Sequence, residues 1–297
     1  MKRLLSCHAS DFAEMTGADL VQSIKASEGR TILGETVVTA APLLEGITNG
    51  EVMAAFGADL LCMNEFDVFK QEIVGMEGID EPIQQLKEWT GRPVGINLEP
   101  VNPEDTVLDQ KVTISKGRQA TAEAFKQAEK LGIDFIMITA NPSTGVTNQG
   151  ILDSIKVAKE NYTGPIFAGK MHGAGSSEPV VQEDLLLEII QEGADGILLP
   201  TVGTVPGVTI QQTRQITERV HELGGLVMNT IGTSQESADE ETIRQFALHN
   251  KQVGTDIHHI GDGGYGRMAP PENITAFSIA IRGKRHTFAR MAQSIKR

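Results

Sequence analysis

Aromatic side chains are scarce in this chain, at one Trp, two Tyr and ten Phe in 297 residues, so Leu, Ile, Val, Ala and Met must fill any core. Cysteine is nearly absent. Cys7 and Cys62 are too few for a disulfide framework, and a reducing cytoplasm is the expected compartment. There is no apolar run of about 18 residues, so no membrane-spanning helix is expected. The opening Met1-Lys2-Arg3-Leu4-Leu5-Ser6-Cys7 has Leu4-Leu5 as its whole apolar stretch, whereas a secretion signal needs about 7–15 apolar residues. Positive charge is also in deficit, with 26 Lys and Arg against 39 Asp and Glu, a net charge of −13. Such a field argues against nucleic acid and anionic membranes as partners. A small anionic ligand would need local donors that overcome it.

What the chain does have is alternation. Short apolar runs at 31–38, 59–64, 93–98, 134–139, 165–170, 196–200, 226–230 and 256–260 read as buried parallel strands. Amphipathic stretches lie between them. Ile151, Ile155, Ala158 and Tyr162 share one helix stripe, as do Ile210, Thr213, Val220 and Leu223, and Ile243, Phe246, Ala247 and Asn250. A further helix is expected over 11–27. A Gly-x-Asp triplet recurs before every second strand: Gly57-Ala58-Asp59, Gly132-Ile133-Asp134, Gly193-Ala194-Asp195 and Gly254-Thr255-Asp256. The last two intervals are equal, at 61 residues, or two strand–helix units each. Glycine suits a helix end because it takes a positive φ without steric cost. Eight such units imply an α/β fold, a single (β/α)8 TIM barrel over 31–297 with an N-terminal helical extension over 1–30. An open doubly wound sheet would want a glycine-rich fingerprint after its first strand, where this chain has Thr39-Ala40-Ala41-Pro42-Leu43. No Pro-, Ser- or charge-rich linker divides the sequence, so one domain is expected.

A barrel of this type works at the C-terminal ends of its strands. Alternation then nominates the polar residues there: Glu35, Asn64, Asn97 and Glu99, Thr139 and Asn141, Lys170 and His172, Thr201, Asn229, and His258 or His259. Glu35, Glu99, Asn141, Lys170 and His172 are the catalytic candidates. A buried lysine is costly unless compensated. If desolvation frees its amine, Lys170 could attack a carbonyl as a Schiff-base nucleophile, with His172 moving protons. Lys170 could also hold a substrate anion, or pair structurally with Glu35 or Glu99. Glu35, Glu99, His172 and His258 form a possible N/O set for a divalent metal, though no local spacing supports them. The loops carrying Gly232, Thr233 and Ser234, and Gly261, Gly263 and Gly264, offer backbone N–H groups to a phosphate, although Asp262 opposes an anion there. Loops 39–48, 65–80 and 99–113 are long enough to cover the mouth or to make a dimer contact.

On its strand order and on the Gly232-Thr233 and Gly261–Gly264 loops, residues 31–297 resemble the phosphate-binding TIM-barrel superfamily, and in particular an uncharacterised bacterial TIM-barrel family. A homo-oligomer is expected because soluble barrels often associate; the resemblance implies an enzyme acting on a small anionic or phosphorylated metabolite by proton transfer or C–C cleavage, as a lyase or isomerase. It departs from the phosphoenolpyruvate mutase and isocitrate lyase family, whose Lys-(Lys)-Cys-Gly-His loop is absent. It departs also from class I aldolases, which carry their lysine on strand six, here Leu198-Leu199-Pro200-Thr201. Two other readings are a metal-dependent hydrolase or lyase, and a non-catalytic metabolite-binding regulatory barrel.

Overall fold

The computed structural model describes residues 2–101, 112–141, 143–173, 178–232 and 234–297. Among these, two short helices, α1 (Ala9–Ala13) and α2 (Gly17–Lys25), precede the first strand. The single helix expected over 11–27 is split because Thr16 opens a new one. The Thr16 hydroxyl accepts the Asp19 N–H at 3.2 Å, and the Asp19 carboxylate accepts the Thr16 N–H at 3.1 Å. This reciprocal pair fixes a helix start at Gly17.

Eight parallel strands then close into a barrel in chain order: β1 Thr31–Val37, β2 Leu60–Asn64, β3 Val94–Leu98, β4 Phe135–Ile138, β5 Ile166–Gly169, β6 Gly196–Pro200, β7 Leu226–Ile231 and β8 Ile257–Ile260. Each boundary falls within one residue of the sequence expectation. β8 pairs with β1, so the sheet has no free edge. Each strand is followed by a helix: α3 Asn49–Ala55, α4 Pro82–Thr90, α5 Ala122–Lys130, α6 Asn148–Asn161, α7 Glu183–Gln191, α8 Ile210–Glu222, α9 Glu240–Val253 and α10 Pro271–Met291. The expected stripes on α6 and α9 are buried. On α8 the buried stripe is Thr213, Ile216, Thr217 and Val220, while Leu223 caps the helix in solvent.

Alternation sorts the strand residues into two cores. Ile32, Leu61, Ile96, Ile136, Ala168, Ile197 and Val227 pack outward against the helices. Leu33, Leu60, Cys62, Phe135, Met137, Phe167, Leu198, Leu226, Met228 and Ile257 fill the interior, together with Leu4, Cys7, Phe12, Leu20 and Ile24 from the N-terminal segment. That segment therefore plugs the barrel floor. Phe135 and Phe167 meet edge to face, with centroids 6.2 Å apart. They find room because the neighbouring strands carry glycine: a Cβ at Gly95 would overlap the Phe135 ring, and one at Gly196 would press on Phe167.

The Gly-x-Asp repeat has one job at all four places. Gly57, Gly132, Gly193 and Gly254 have φ between 66° and 110°, which L side chains resist. Each aspartate then opens an even strand and clamps the odd strand before it. Asp59, Asp134, Asp195 and Asp256 accept the N–H groups of Ile32, Val94, Ile166 and Val227 at 2.7–3.0 Å. Their own N–H groups return to the carbonyls of the same four residues at 2.8–2.9 Å. Register is thus set at the floor, strand pair by strand pair. Asp59 does more. It is fully buried and also pairs with Arg282 at 2.5 Å and Arg290 at 2.7 Å. Burial opposes its ionisation, but the two guanidiniums outweigh burial and hold the carboxyl below its usual range.

Candidate active site

The inward parity of β1, β2, β3 and β8 brings one buried polar group from each to a common level above the inner core. Glu35 is the hub, at 3% exposure. Its Oε2 lies 2.7 Å from His259 Nε2, and its Oε1 accepts from Asn97 Nδ2 at 2.5 Å. Cys62 Sγ sits 3.9 Å from the same Oε1 and donates to Asn97 Oδ1 at 3.3 Å. Burial, then Glu35 and Asp262, raise the Cys62 thiol well above its ordinary value. It therefore stays protonated and serves as a donor rather than a nucleophile.

A second tier lies at the strand ends. Asn64 Nδ2 donates to Asp262 Oδ2 at 2.6 Å and to Asn141 Oδ1 at 2.9 Å. Asn141 in turn donates its backbone N–H and its amide to the two oxygens of Glu99, at 2.9 and 2.8 Å. Arg118 closes the chain, donating to Glu99 at 3.1 Å and lying 3.7 Å from Glu65. The tiers are coupled through Asp262, on the loop after β8. Burial first, and then the Glu35 carboxylate, push Asp262 up to about 7, against Asn64, Arg267 and His259, which pull the other way. A carboxyl that titrates near neutrality, held by an amide at the barrel mouth, can give or take a proton at working pH.

Of the residues expected from sequence, Glu35, Asn64, Asn97, Glu99 and Asn141 belong to these tiers. His172 lies within electrostatic reach of Glu35, Glu99 and Lys170. Burial lowers its pKa, the two carboxylates partly restore it, and Lys170 lowers it further. Lys170 is placed differently. Phe167 and Met171 face the inner core, so Lys170 turns to the opposite side and pairs with Glu178 at 2.7 Å. Glu178 also accepts the N–H of Asn148, the first residue of α6. Lys170 is thus an ion-paired strut between β5 and α6, at 3% exposure.

His258 is directed away from the mouth, because Ile257 and His259 take the inward positions. His258 Nε2 bonds the Gly29 carbonyl at 2.9 Å, its ring stands edge-on to Phe277, and burial lowers its pKa to about 3. The proposed metal set of Glu35, Glu99, His172 and His258 therefore does not converge. Among the described residues no group of three or more His, Cys, Asp and Glu is arranged to hold a metal ion. Asn229 likewise turns outward, beside the inward Met228, and bonds Pro200 and Thr255.

Two N–H groups of the expected anion loops are engaged within the protein. The Gly261 N–H donates to the Ile231 carbonyl at 2.9 Å. The Ser234 N–H donates to Glu236 Oε2 at 3.1 Å, and Glu236 is fully buried. Gly263 and Gly264 are needed for close packing, since a Cβ would strike Glu236 Oε1 at the first and the Met268 carbonyl at the second. A Cβ at Gly232 would meet Met171 Sδ at 2.6 Å. Thr233 lies outside the described residues.

Sequence reasoning missed Cys62, Arg118 and Glu236, and treated Asp262 as an obstacle. Cys62 shares the parity of Asn64 and was legible by that rule. Arg118 and Glu236 reach the site from single 3-10 turns between strand and helix, too short for periodicity to mark them.

No helix among the described residues is long and apolar enough to cross a membrane. Several solved barrels share the fold at low identity. An archaeal fructose 1,6-bisphosphate aldolase is 13% identical over 86% of this chain and 95% of its own, with a TM-score of 0.54. The 2,3-dimethylmalate lyase, a PEP mutase/isocitrate lyase superfamily member, is 15% identical over 85% and 83%, with a TM-score of 0.52. The YdjI aldolase from Escherichia coli K12 is 9% identical over 92% and 97%, with a TM-score of 0.51. At these identities the likeness is one of fold. No curated protein matches the chain. Residues 5–297 match the family described as Domain of unknown function (DUF7916), and the chain belongs to that family.

Proposed function

We propose that this barrel is an enzyme of small-metabolite chemistry that makes or breaks a bond next to a carbonyl by general acid–base proton transfer, in the manner of a lyase or aldolase. One observation carries the reading: a half-buried Asp262, pushed up to about 7, stands at the mouth above the buried Glu35–His259 pair. Near neutral pH, Asp262 is divided between its acid and its base form, the condition in which one carboxyl serves both directions of a proton transfer. Glu35 supplies the negative field that keeps the proton on Asp262, and His259 and Asn97 fix the Glu35 carboxylate in place. Asn64 orients Asp262. Asn141, locked by Glu99 and Arg118, presents its edge beside Asn64. The aldolases and the lyase among the barrels of the same fold are in keeping with this chemistry. Covalent catalysis by Lys170 is not part of the reading, because its amine is engaged by Glu178.

The test is a turnover screen on small carbonyl and hydroxy-acid metabolites, followed by pH–rate profiles. For any substrate found, kcat/KM should bend near pH 7, and Asp262→Asn should lower it by about 10²- to 10⁴-fold and remove the bend. Full activity of Asp262→Asn with an unchanged profile would refute the proposal.

A further inference from the structure

Two side-chain amides stand between Glu99 and Asp262, and each hydrogen on their nitrogens is engaged. Asn141 Nδ2 donates to Glu99 Oε1 at 2.8 Å and to Asn64 Oδ1 at 3.1 Å. Asn64 Nδ2 returns a bond to Asn141 Oδ1 at 2.9 Å and gives its other hydrogen to Asp262 Oδ2 at 2.6 Å. The two amides are thus joined by a reciprocal pair of hydrogen bonds. A side-chain amide has one donor end and one acceptor end, so turning either of them over sets donor against donor and acceptor against acceptor.

The ends of this chain of bonds are anchored by groups that cannot reverse. Asn64 Oδ1 also accepts the Glu65 N–H at 2.8 Å, and Glu65 holds a φ of 66°, a conformation that a non-glycine residue keeps only where its surroundings compel it. At the other end Glu99 receives three donors on two oxygens: the Asn141 N–H on Oε2 at 2.9 Å, and Asn141 Nδ2 and Arg118 Nη2 on Oε1. A carboxylate suits that place because it is acceptor throughout. The consequence falls on Asp262. Glu35 opposes its ionisation, His259 and Arg267 favour it, and Asn64 is the donor in contact with it. A hydrogen bond given to a carboxylate stabilises its ionised form.

We infer that Glu99 is a positioning residue for Asp262: acting through Asn141 and Asn64, its carboxylate holds a donor rather than an acceptor against Asp262 Oδ2. Its bearing on catalysis rests on Asp262 being the proton-transfer group of the mouth. Glu99→Gln puts an NH2 where one of the two acceptor oxygens was, so at least one of the three donors is opposed and the amides lose their anchor. The sign of the effect separates this relay from simple charge. Removing a neighbouring negative charge makes Asp262 easier to ionise, whereas losing the Asn64 hydrogen makes it harder.

The test is the titration of Asp262 in the full-length, substrate-free protein, followed by 13C NMR of aspartate-labelled carboxyls, with the signal assigned by its absence from Asp262→Asn. Glu99→Gln should move the midpoint up by about one pH unit. Asn64→Ala should move it up similarly, and adding Glu99→Gln to Asn64→Ala should raise it no further. A midpoint that stays or falls in Glu99→Gln overturns the inference, as does an upward shift of equal size in the Asn64→Ala background. Where these variants do not fold, the wild type carries the test: the side-chain 15N signals of Asn64 and Asn141 should both report the Asp262 midpoint, and an Asn141 signal flat across it overturns the relay. No substrate enters these measurements, and the turnover of Asp262→Asn does not depend on Glu99, so this inference and the proposed function fail separately.

Discussion

Asp262 makes a prediction about stability that needs no knowledge of the substrate. In the folded protein its carboxyl is pushed from 3.8 to about 7, by burial and then by Glu35. In the unfolded chain it ionises near its ordinary value. Between those limits the folded state binds a proton that the unfolded state has released, so stability falls as pH rises. The stabilisation attached to the protonated group is whole below about pH 4 and is lost progressively up to about pH 7. A shift of this size corresponds to about 4 kcal/mol at about 1.4 kcal/mol per unit. Asp262 keeps part of its surface at the mouth, and screening there reduces the expected loss to about 2 kcal/mol. Asp262→Asn cannot ionise and so escapes it. Urea denaturation of both proteins at half-unit steps from pH 4 to 8 gives the difference in unfolding free energy at each pH, in which the titrating groups remote from Asp262 cancel. The variant should gain about 2 kcal/mol on the wild type across that range, nearly all of it before pH 7.5. A flat difference curve would show that Asp262 is an ordinary surface carboxylate, and the proton-transfer role would fall with it.

Two further predictions concern the scaffold. Asp59→Asn leaves Arg282 and Arg290 buried without their shared carboxylate, and should cost about 3–5 kcal/mol in denaturant unfolding; a loss under 1 kcal/mol would mean that the carbonyls around the guanidiniums suffice. Gly95→Ala places a methyl group inside the Phe135 ring, and should cost about 1–3 kcal/mol by calorimetry with the barrel intact. An unchanged Tm would show that Phe135 has room to move.

Much of the barrel was legible in the sequence because burial on both faces gives parallel strands a continuous apolar signature, and the Gly-x-Asp triplets mark where helices end. The site was legible only as far as alternation runs unbroken. Within β1, β2 and β3, parity led to Glu35, Asn64 and Asn97. It was misapplied at β7, where Asn229 sits beside the inward Met228, and at β5, where Met171 continues the inward row and Lys170 pairs with Glu178. A lone buried lysine reads as reactive until its partner is known, and Glu178 comes from a loop eight residues on. Nor does a sequence show that Glu236 turns back into its own loop to take the Ser234 N–H.

The two ends of the barrel answer to different physics. At the floor, four aspartates accept backbone N–H groups in the same way, because holding the register of adjacent strands is the same problem at every second strand. Repetition is the economical solution, and the triplets that encode it can be read along the chain. At the mouth, no two strands contribute the same group in the same setting. Glu35 is clasped by His259 and Asn97, Glu99 by Asn141 and Arg118, Asp262 by Asn64. Three carboxyls in one buried neighbourhood repel one another, and that cost persists only where something else is gained. A barrel whose mouth served stability alone would do better with apolar side chains there, as its own interior has one layer below. The acidic, asymmetric rim is therefore best understood as the part of this molecule shaped by a ligand rather than by folding.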